Sequence, residues 1–162
     1  MHFWRSSLVT DSLCKRNVAL DSLMPLIREE LAAGRSVCFG PRGISMLPML
    51  RQGKDTVTIS PVPGKLKKYD LPLYQRDDGK YVLHRIVGVG DTYTCVGDNQ
   101  FILEKGVRHD QVIGLVTEFA RDGQGVSVKN PCYQIYCRVW HYTRLPRRGW
   151  RKLVSILRSL VK

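Results

Sequence analysis

The chain has 162 residues, 43% of them hydrophobic, and carries 26 Lys or Arg against 14 Asp or Glu, a formal net charge of +12. That length and apolar content suit one domain with appendages and exclude an intrinsically disordered chain. No uncharged apolar stretch approaches the roughly 18 residues a membrane span needs, and Arg5, Asp11, Lys15 and Arg16 interrupt the region where a secretory signal would be continuous.

Residues 17–33 place Leu20, Leu23, Met24, Ile27 and Leu31 at helical intervals, with Gly34 as a stop. Pro25 falls inside this pattern, so a start near Asp21 or Ser22 is the alternative, because proline is tolerated in a first turn. The helix is expected to cover one side of a β domain; docking of a leader peptide or partner is the other reading. Ser36-Val37-Cys38-Phe39 then reads as a strand leading into Gly43-Ile44-Ser45-Met46-Leu47-Pro48.

Ser45 is a candidate nucleophile and His84, in Val82-Leu83-His84-Arg85-Ile86-Val87, a candidate base. A serine hydroxyl attacks poorly at neutral pH unless a neighbour takes its proton, and imidazole is the side chain best tuned to do so. Singly, each has a bland reading: a loop hydroxyl bonded to its own backbone, and a histidine packed in a strand. Between them, Thr56-Val57-Thr58-Ile59, Leu71-Pro72-Leu73-Tyr74 and the run Tyr81 to Val89 read as short strands bounded by turn chemistry.

Five boxes within residues 40–116 resemble, in their order, the signal peptidase I/LexA-type serine peptidases. They are Gly-x-Ser-Met-x-Pro at 43–48; Leu50-Arg51-Gln52-Gly53-Lys54-Asp55-Thr56-Val57 with Lys68-Tyr69-Asp70; His84-Arg85-Ile86-Val87-Gly88; Gly97-Asp98-Asn99; and Asp110-Gln111-Val112-Ile113-Gly114. The resemblance implies a β catalytic domain and a serine activated by one base. It is nearest the branch that uses histidine, the endoplasmic-reticulum and archaeal type, where most bacterial members carry lysine. Histidine asks less of its surroundings, because a lysine must lose roughly three pKa units to act at neutral pH.

The same resemblance implies that Asp98 orients His84, with Asp110 as second candidate, because the aspartates that usually follow Gly-Asp-Asn are replaced by Gln100-Phe101-Ile102-Leu103-Glu104. A third reading makes Gly-Asp-Asn a hairpin turn whose aspartate bonds only local backbone. The Ser45 backbone N–H is the expected first oxyanion donor. Many relatives of this kind place a hydroxyl at the position of Gly43, which has none, so Gly43 is read as shaping the loop and the second donor is left open. LexA-type proteins cut themselves at Ala-Gly; Ala33-Gly34 is read here as a helix ending. Small side chains beside the cleaved bond are what the resemblance implies for specificity.

Cysteines 14, 38, 95, 132 and 137 are scattered and form no Cys-x-x-Cys pair, which suggests free thiols in a reducing compartment. Histidines 2, 84, 109 and 141 show no ligand spacing; neither a metal nor a cofactor is expected. From Arg138 to Lys162 there are eight Lys or Arg and no acid. Trp150, Leu153, Val154, Leu157, Leu160 and Val161 share one helical face, opposite Arg151, Lys152, Ser155, Arg158, Ser159 and Lys162, with a break expected at Pro146-Arg147-Arg148-Gly149. Three readings stay open for this tail: packing on the protein, attachment to an anionic membrane through Trp150, Arg151, Lys152, Arg158 and Lys162, and binding an acidic partner. No nucleic-acid signature is present.

The expected organisation is a segment with a helix at 1–35, a mainly β signal peptidase/LexA-like catalytic domain at 36–128, and a basic helical tail at 129–162. The expected function is a serine endopeptidase that processes an extended peptide or protein precursor, placed in the cytoplasm with peripheral attachment to a membrane. The alternative is a non-catalytic peptide-binding or membrane-surface accessory protein on the same fold.

Overall fold

The computed structural model describes residues 20–160, apart from the side chains at 151, 155, 157, 158 and 160. The sequence expectations on Arg5, Asp11, Cys14, Lys15, Arg16, Val161 and Lys162 lie outside the described residues.

Helix α1 (Leu20–Ala32) turns Met24, Ile27 and Leu31 inward, as the spacing predicts. Pro25 lies inside the described helix. The carbonyl it leaves without an N–H partner belongs to Asp21, which is exposed to water, so the interruption is tolerated. Gly34 ends the helix at φ +77, with its N–H on the Leu31 carbonyl and that of Arg35 on the Glu30 carbonyl. This double bond to the last turn is a left-handed cap that glycine adopts without steric penalty, so Ala33-Gly34 serves as a helix ending.

The rest is mainly β, in two antiparallel sheets. The larger holds β1 (Val37–Phe39), β2 (Thr56–Ser60), β3 (Pro72–Gln75), β4 (Tyr81–Leu83), β8 (Val112–Arg121) and β9 (Gln124–Ser127). Its order is β1-β2-β8-β3-β4, and the long β8 also pairs with β9. The smaller sheet runs β5-β6-β7, from Arg85–Val89, Tyr93–Val96 and Glu104–Val107. The run Tyr81 to Val89, expected as one strand, is split: β4 belongs to the larger sheet and β5 to the smaller, and His84 is the residue at which the chain crosses.

Two cores follow. One joins the larger sheet to the helices through Ile27, Leu31, Val57, Ile59, Leu73, Val116, Phe119 and Tyr133. The other lies on the smaller sheet and includes Tyr74, Ile86, Tyr93 and Cys95. Strand alternation divides β3 between them, sending Leu73 to the first and Tyr74 to the second. The Tyr74 side chain thereby reaches the crossing point at His84.

Helix α2 (Pro131–Tyr142) is capped by Asn130, whose side chain accepts from the N–H groups of Cys132 and Tyr133, and it buries Tyr133 and Cys137. Helix α3 (Arg144–Leu160) follows after Thr143. The expected break at 146–149 is not there; Pro146 falls in the first turn of α3, where its missing N–H costs nothing. Among the described residues no helix is long and apolar enough to cross a membrane. Cys95, Cys132 and Cys137 are free, whereas Cys38 is disulfide-bonded, so the expectation of free thiols fails at Cys38.

Candidate functional site

Ser45 sits half-buried in the turn between β1 and β2. Among the hydrogen bonds that hold this loop are three to Gly43, Ile44 and Ser45. Gly43 N–H donates to Gln52 Oε1 at 2.7 Å, Asn99 N–H donates to the Ser45 carbonyl at 2.8 Å, and Asn99 Nδ2 donates to the Ile44 carbonyl at 3.0 Å. Gly43 has φ +93, a conformation that favours glycine, and its N–H is committed to Gln52. It therefore shapes the loop, with its N–H engaged inside it. The Leu47–Pro48 peptide is cis.

The Gly-Asp-Asn segment reaches the site through Gly97. A side chain there would begin 2.6 Å from the Ser45 carbonyl oxygen, 3.1 Å from Ser45 Cβ and 3.1 Å from His84 Nε2. Ser45 Cβ and His84 Nε2 thus border one small gap and are separated by at most twice that last distance. Rotation about the Cα–Cβ bond moves the Ser45 hydroxyl within the space that His84 Nε2 also borders.

His84 is 3% exposed. Its Nδ1 lies 3.4 Å from the Tyr74 hydroxyl and 3.5 Å from Glu104 Oε2. Tyr74 gives its own proton to Glu104 Oε2 at 2.7 Å. Nδ1 therefore faces two oxygens that can only accept, which places the imidazole hydrogen on Nδ1 and leaves the Nε2 lone pair on the Ser45 side. That is the tautomer a base needs.

Burial pushes the His84 pKa down to about 4; the Glu104 charge works against this and Arg76 adds to it. The ring is consequently neutral, in its proton-accepting form, throughout the neutral range. Burial alone would raise Glu104, but hydrogen bonds from Arg76 and Tyr74 hold it below the usual carboxylate range. Arg76 grips both its oxygens, Nε to Oε1 and Nη2 to Oε2, each at 2.6 Å. The carboxylate beside the imidazole is thus ionised and fixed in place.

Asp98, expected to orient His84, is used elsewhere. Its two oxygens take Arg85 Nε at 2.9 Å and Nη2 at 2.8 Å, and Oδ2 also accepts from the Tyr136 hydroxyl at 3.1 Å. The reason lies in the neighbouring residue: in extended chain Arg85 points away from His84, into the space between Asp98 and α2, where Tyr133 and Cys137 complete its surroundings. Nor does Gly-Asp-Asn act only as a local turn, since its aspartate ties down a distant helix. Asp110, the second candidate, lies exposed in the short helical turn His109–Gln111 and pairs with Arg108 at 3.2 Å. Sequence reasoning passed over Glu104, Tyr74 and Arg76. The signal available was an acid at the far end of the segment that replaces the usual aspartates.

Ser45 and His84 open on a cleft of about 490 Å³ lined by Phe39, Met46, Tyr81, Leu83, Arg42 and Gln100. Among the described residues no cluster of His, Cys, Asp and Glu could hold a metal ion. Of the membrane-surface candidates, Trp150 is 68% exposed and Lys152 is exposed; the side chains of Arg151 and Arg158 and the whole of Lys162 lie outside the described residues. No protein-family model matches the chain, and no curated protein matches it.

Proposed function

We propose that the chain is a serine endopeptidase of the signal peptidase/LexA-like kind, acting through Ser45, His84 and Glu104. The observation that carries the reading is the gap at Gly97, bordered at 3.1 Å by both Ser45 Cβ and His84 Nε2. His84 Nε2 takes the proton as Ser45 Oγ bonds to the substrate carbonyl carbon, and the Ser45 backbone N–H faces the developing oxyanion. The imidazolium then gives that proton to the leaving amine, the C–N bond breaks and an acyl-enzyme ester remains. Water, deprotonated by the same ring, hydrolyses the ester and restores the serine. Glu104 offsets the charge the ring acquires.

Support for an extended peptide substrate comes from β4. It is the terminal strand of the larger sheet, its residues Tyr81, Val82 and Leu83 line the cleft, and it ends one residue before His84. A peptide added alongside it would gain main-chain hydrogen bonds and run past the serine. The mainly β architecture supports the family reading, and processing of a precursor protein is the use it suggests.

A fluorophosphonate probe tests the reading without knowledge of the substrate. Wild type is expected to be labelled, and Ser45→Ala and His84→Ala are expected to lose labelling while keeping their circular dichroism spectra. A folded wild type that resists the probe would favour the non-catalytic peptide-binding alternative.

A further inference from the structure

We propose that the outer face of α2 and α3 is a docking surface for an anionic phospholipid bilayer. The first observation is exposure. On α2 the inward residues Tyr133 and Cys137 are buried, while Ile135 is 61%, Val139 54% and Tyr142 70% exposed. These three recur at helical spacing and form an outward stripe. On α3, Leu145 is 70%, Trp150 68%, Leu153 48% and Ile156 57% exposed. At about 100° per residue, Leu145, Trp150, Leu153 and Ile156 all fall within one half of the helix circumference. These four apolar side chains of α3 thus stand in water instead of packing on the protein, and exposed apolar clusters of this kind mark an interaction site.

Charge selects the occupant. The segment from Arg138 to Lys162 holds eight Lys or Arg and no acid; Arg148 is exposed on the side of α3 away from the apolar stripe and Lys152 is exposed at its border. An apolar face alone would fit a protein groove or a second copy of the chain. A second copy would bring the same excess of positive charge to the contact, which opposes pairing. A bilayer of anionic lipid accepts the apolar half among its acyl chains and the basic half among its headgroups, and Trp150 and Tyr142 have the amphipathic rings that suit this boundary.

The surface is also fixed relative to the catalytic cleft. Trp140 Nε1 donates to the Asp98 carbonyl at 2.7 Å, and the Arg147 guanidinium stacks 3.6 Å from the centre of the Trp140 ring while its Nη1 meets the same carbonyl at 3.4 Å. Asp98 adjoins Gly97 at the site, so the junction of α2 and α3 is bonded directly to the loop beside Ser45. The inference does not depend on catalysis.

The test is flotation of the full-length chain with vesicles of phosphatidylglycerol in phosphatidylcholine, against phosphatidylcholine alone. Binding to the anionic vesicles is expected, weakening as salt rises. Arg148→Gln and Lys152→Gln should each weaken partitioning about fivefold. The triple variant Trp150→Ser, Leu153→Ser, Ile156→Ser should lose binding; all three side chains are exposed, so its thermal midpoint serves as the folding control. Absence of wild-type binding to the anionic vesicles, or equal binding by the folded triple variant, overturns the proposal. So does sedimentation showing a dimer that the triple variant converts to a monomer, which would assign the face to a second copy.

Discussion

Arg85 and Asp98 approach to 2.8 Å and Arg76 and Glu104 to 2.6 Å, yet the two pairs are built for different work. The side chains of the first are each 2% exposed; those of the second are 35% and 23% exposed. Both oxygens of Asp98 are engaged by Arg85, one of them also by Tyr136, and Arg85 also donates to Tyr133 and Cys137, so this pair fastens α2 to the smaller sheet. Glu104 keeps an oxygen turned to Tyr74 and to His84 Nδ1. A carboxylate can orient a base only while it has a lone pair directed at it, whatever its place in a motif.

The largest effect should come from breaking the buried pair. Asp98→Ala strands a buried guanidinium and is expected to cost about 3–5 kcal/mol of stability, read from guanidinium chloride unfolding. The fraction that remains folded should still label with fluorophosphonate at close to the wild-type rate. If labelling vanishes while stability holds, Asp98 is the orienting carboxylate and the comparison is wrong.

Acid separates the pairs next. Arg85 is held well above its ordinary pKa and stays charged, whereas His84 has a folded pKa of about 4 against an unfolded 6.5. Below pH 6.5 the unfolded chain takes up a proton that the buried ring refuses, so acid favours unfolding. The contribution is intact above that value and falls by about 3 kcal/mol on descending to pH 4. The wild type should therefore lose more stability across this window than His84→Asn. Equal pH slopes for the two proteins would mean that His84 titrates as an ordinary exposed histidine.

Much of this arrangement could be read from the chain, and the part that could not has a physical cause. Ser45, His84 and Gly97-Asp98-Asn99 are brought together as their order suggests, and the strands at 56–59 and 71–74 form where β-branched and apolar residues cluster. Asp98 makes no hydrogen bond to His84 because Arg85, one residue on, points to the opposite side of an extended chain and binds both its oxygens. Glu104 reaches His84 only once β7 has paired with β6, a long-range event that no local pattern announces. The division of the run 81–89 between two sheets was equally hidden, since no glycine, proline or other turn residue marks the change of sheet at His84. In the tail, amphipathicity was legible over α3, but the position of the bend was not: a proline reads as a break from sequence and is harmless in a first turn.

Removing the charge of Glu104 should leave the fold standing and damage the site. In Glu104→Gln the imidazolium formed on attack loses its counter-charge, and labelling is expected to slow about 100-fold, equivalent to about 2.7 kcal/mol. The Glu104 charge raises the His84 pKa, so the acid limb of the labelling profile should move further down in this variant. A rate unchanged within twofold would remove Glu104 from the mechanism.

The smallest effect is the most discriminating, because Tyr74 and Glu104 are nearly equidistant from His84 Nδ1, at 3.4 and 3.5 Å. Tyr74→Phe deletes one acceptor for the imidazole hydrogen and one donor to Glu104, while Arg76 continues to hold the carboxylate. Loss of these two hydrogen bonds, the one to His84 being long at 3.4 Å, is expected to cost about 1–2 kcal/mol. Glu104 should titrate higher, since the Tyr74 bond is among the causes that lower it. If the carboxylate is the group that holds the ring, labelling should slow no more than about tenfold, well short of Glu104→Gln. Should the two variants be equally damaged, the tyrosine hydroxyl is the group that positions the imidazole, and Glu104 acts through it by fixing the direction of the Tyr74 proton.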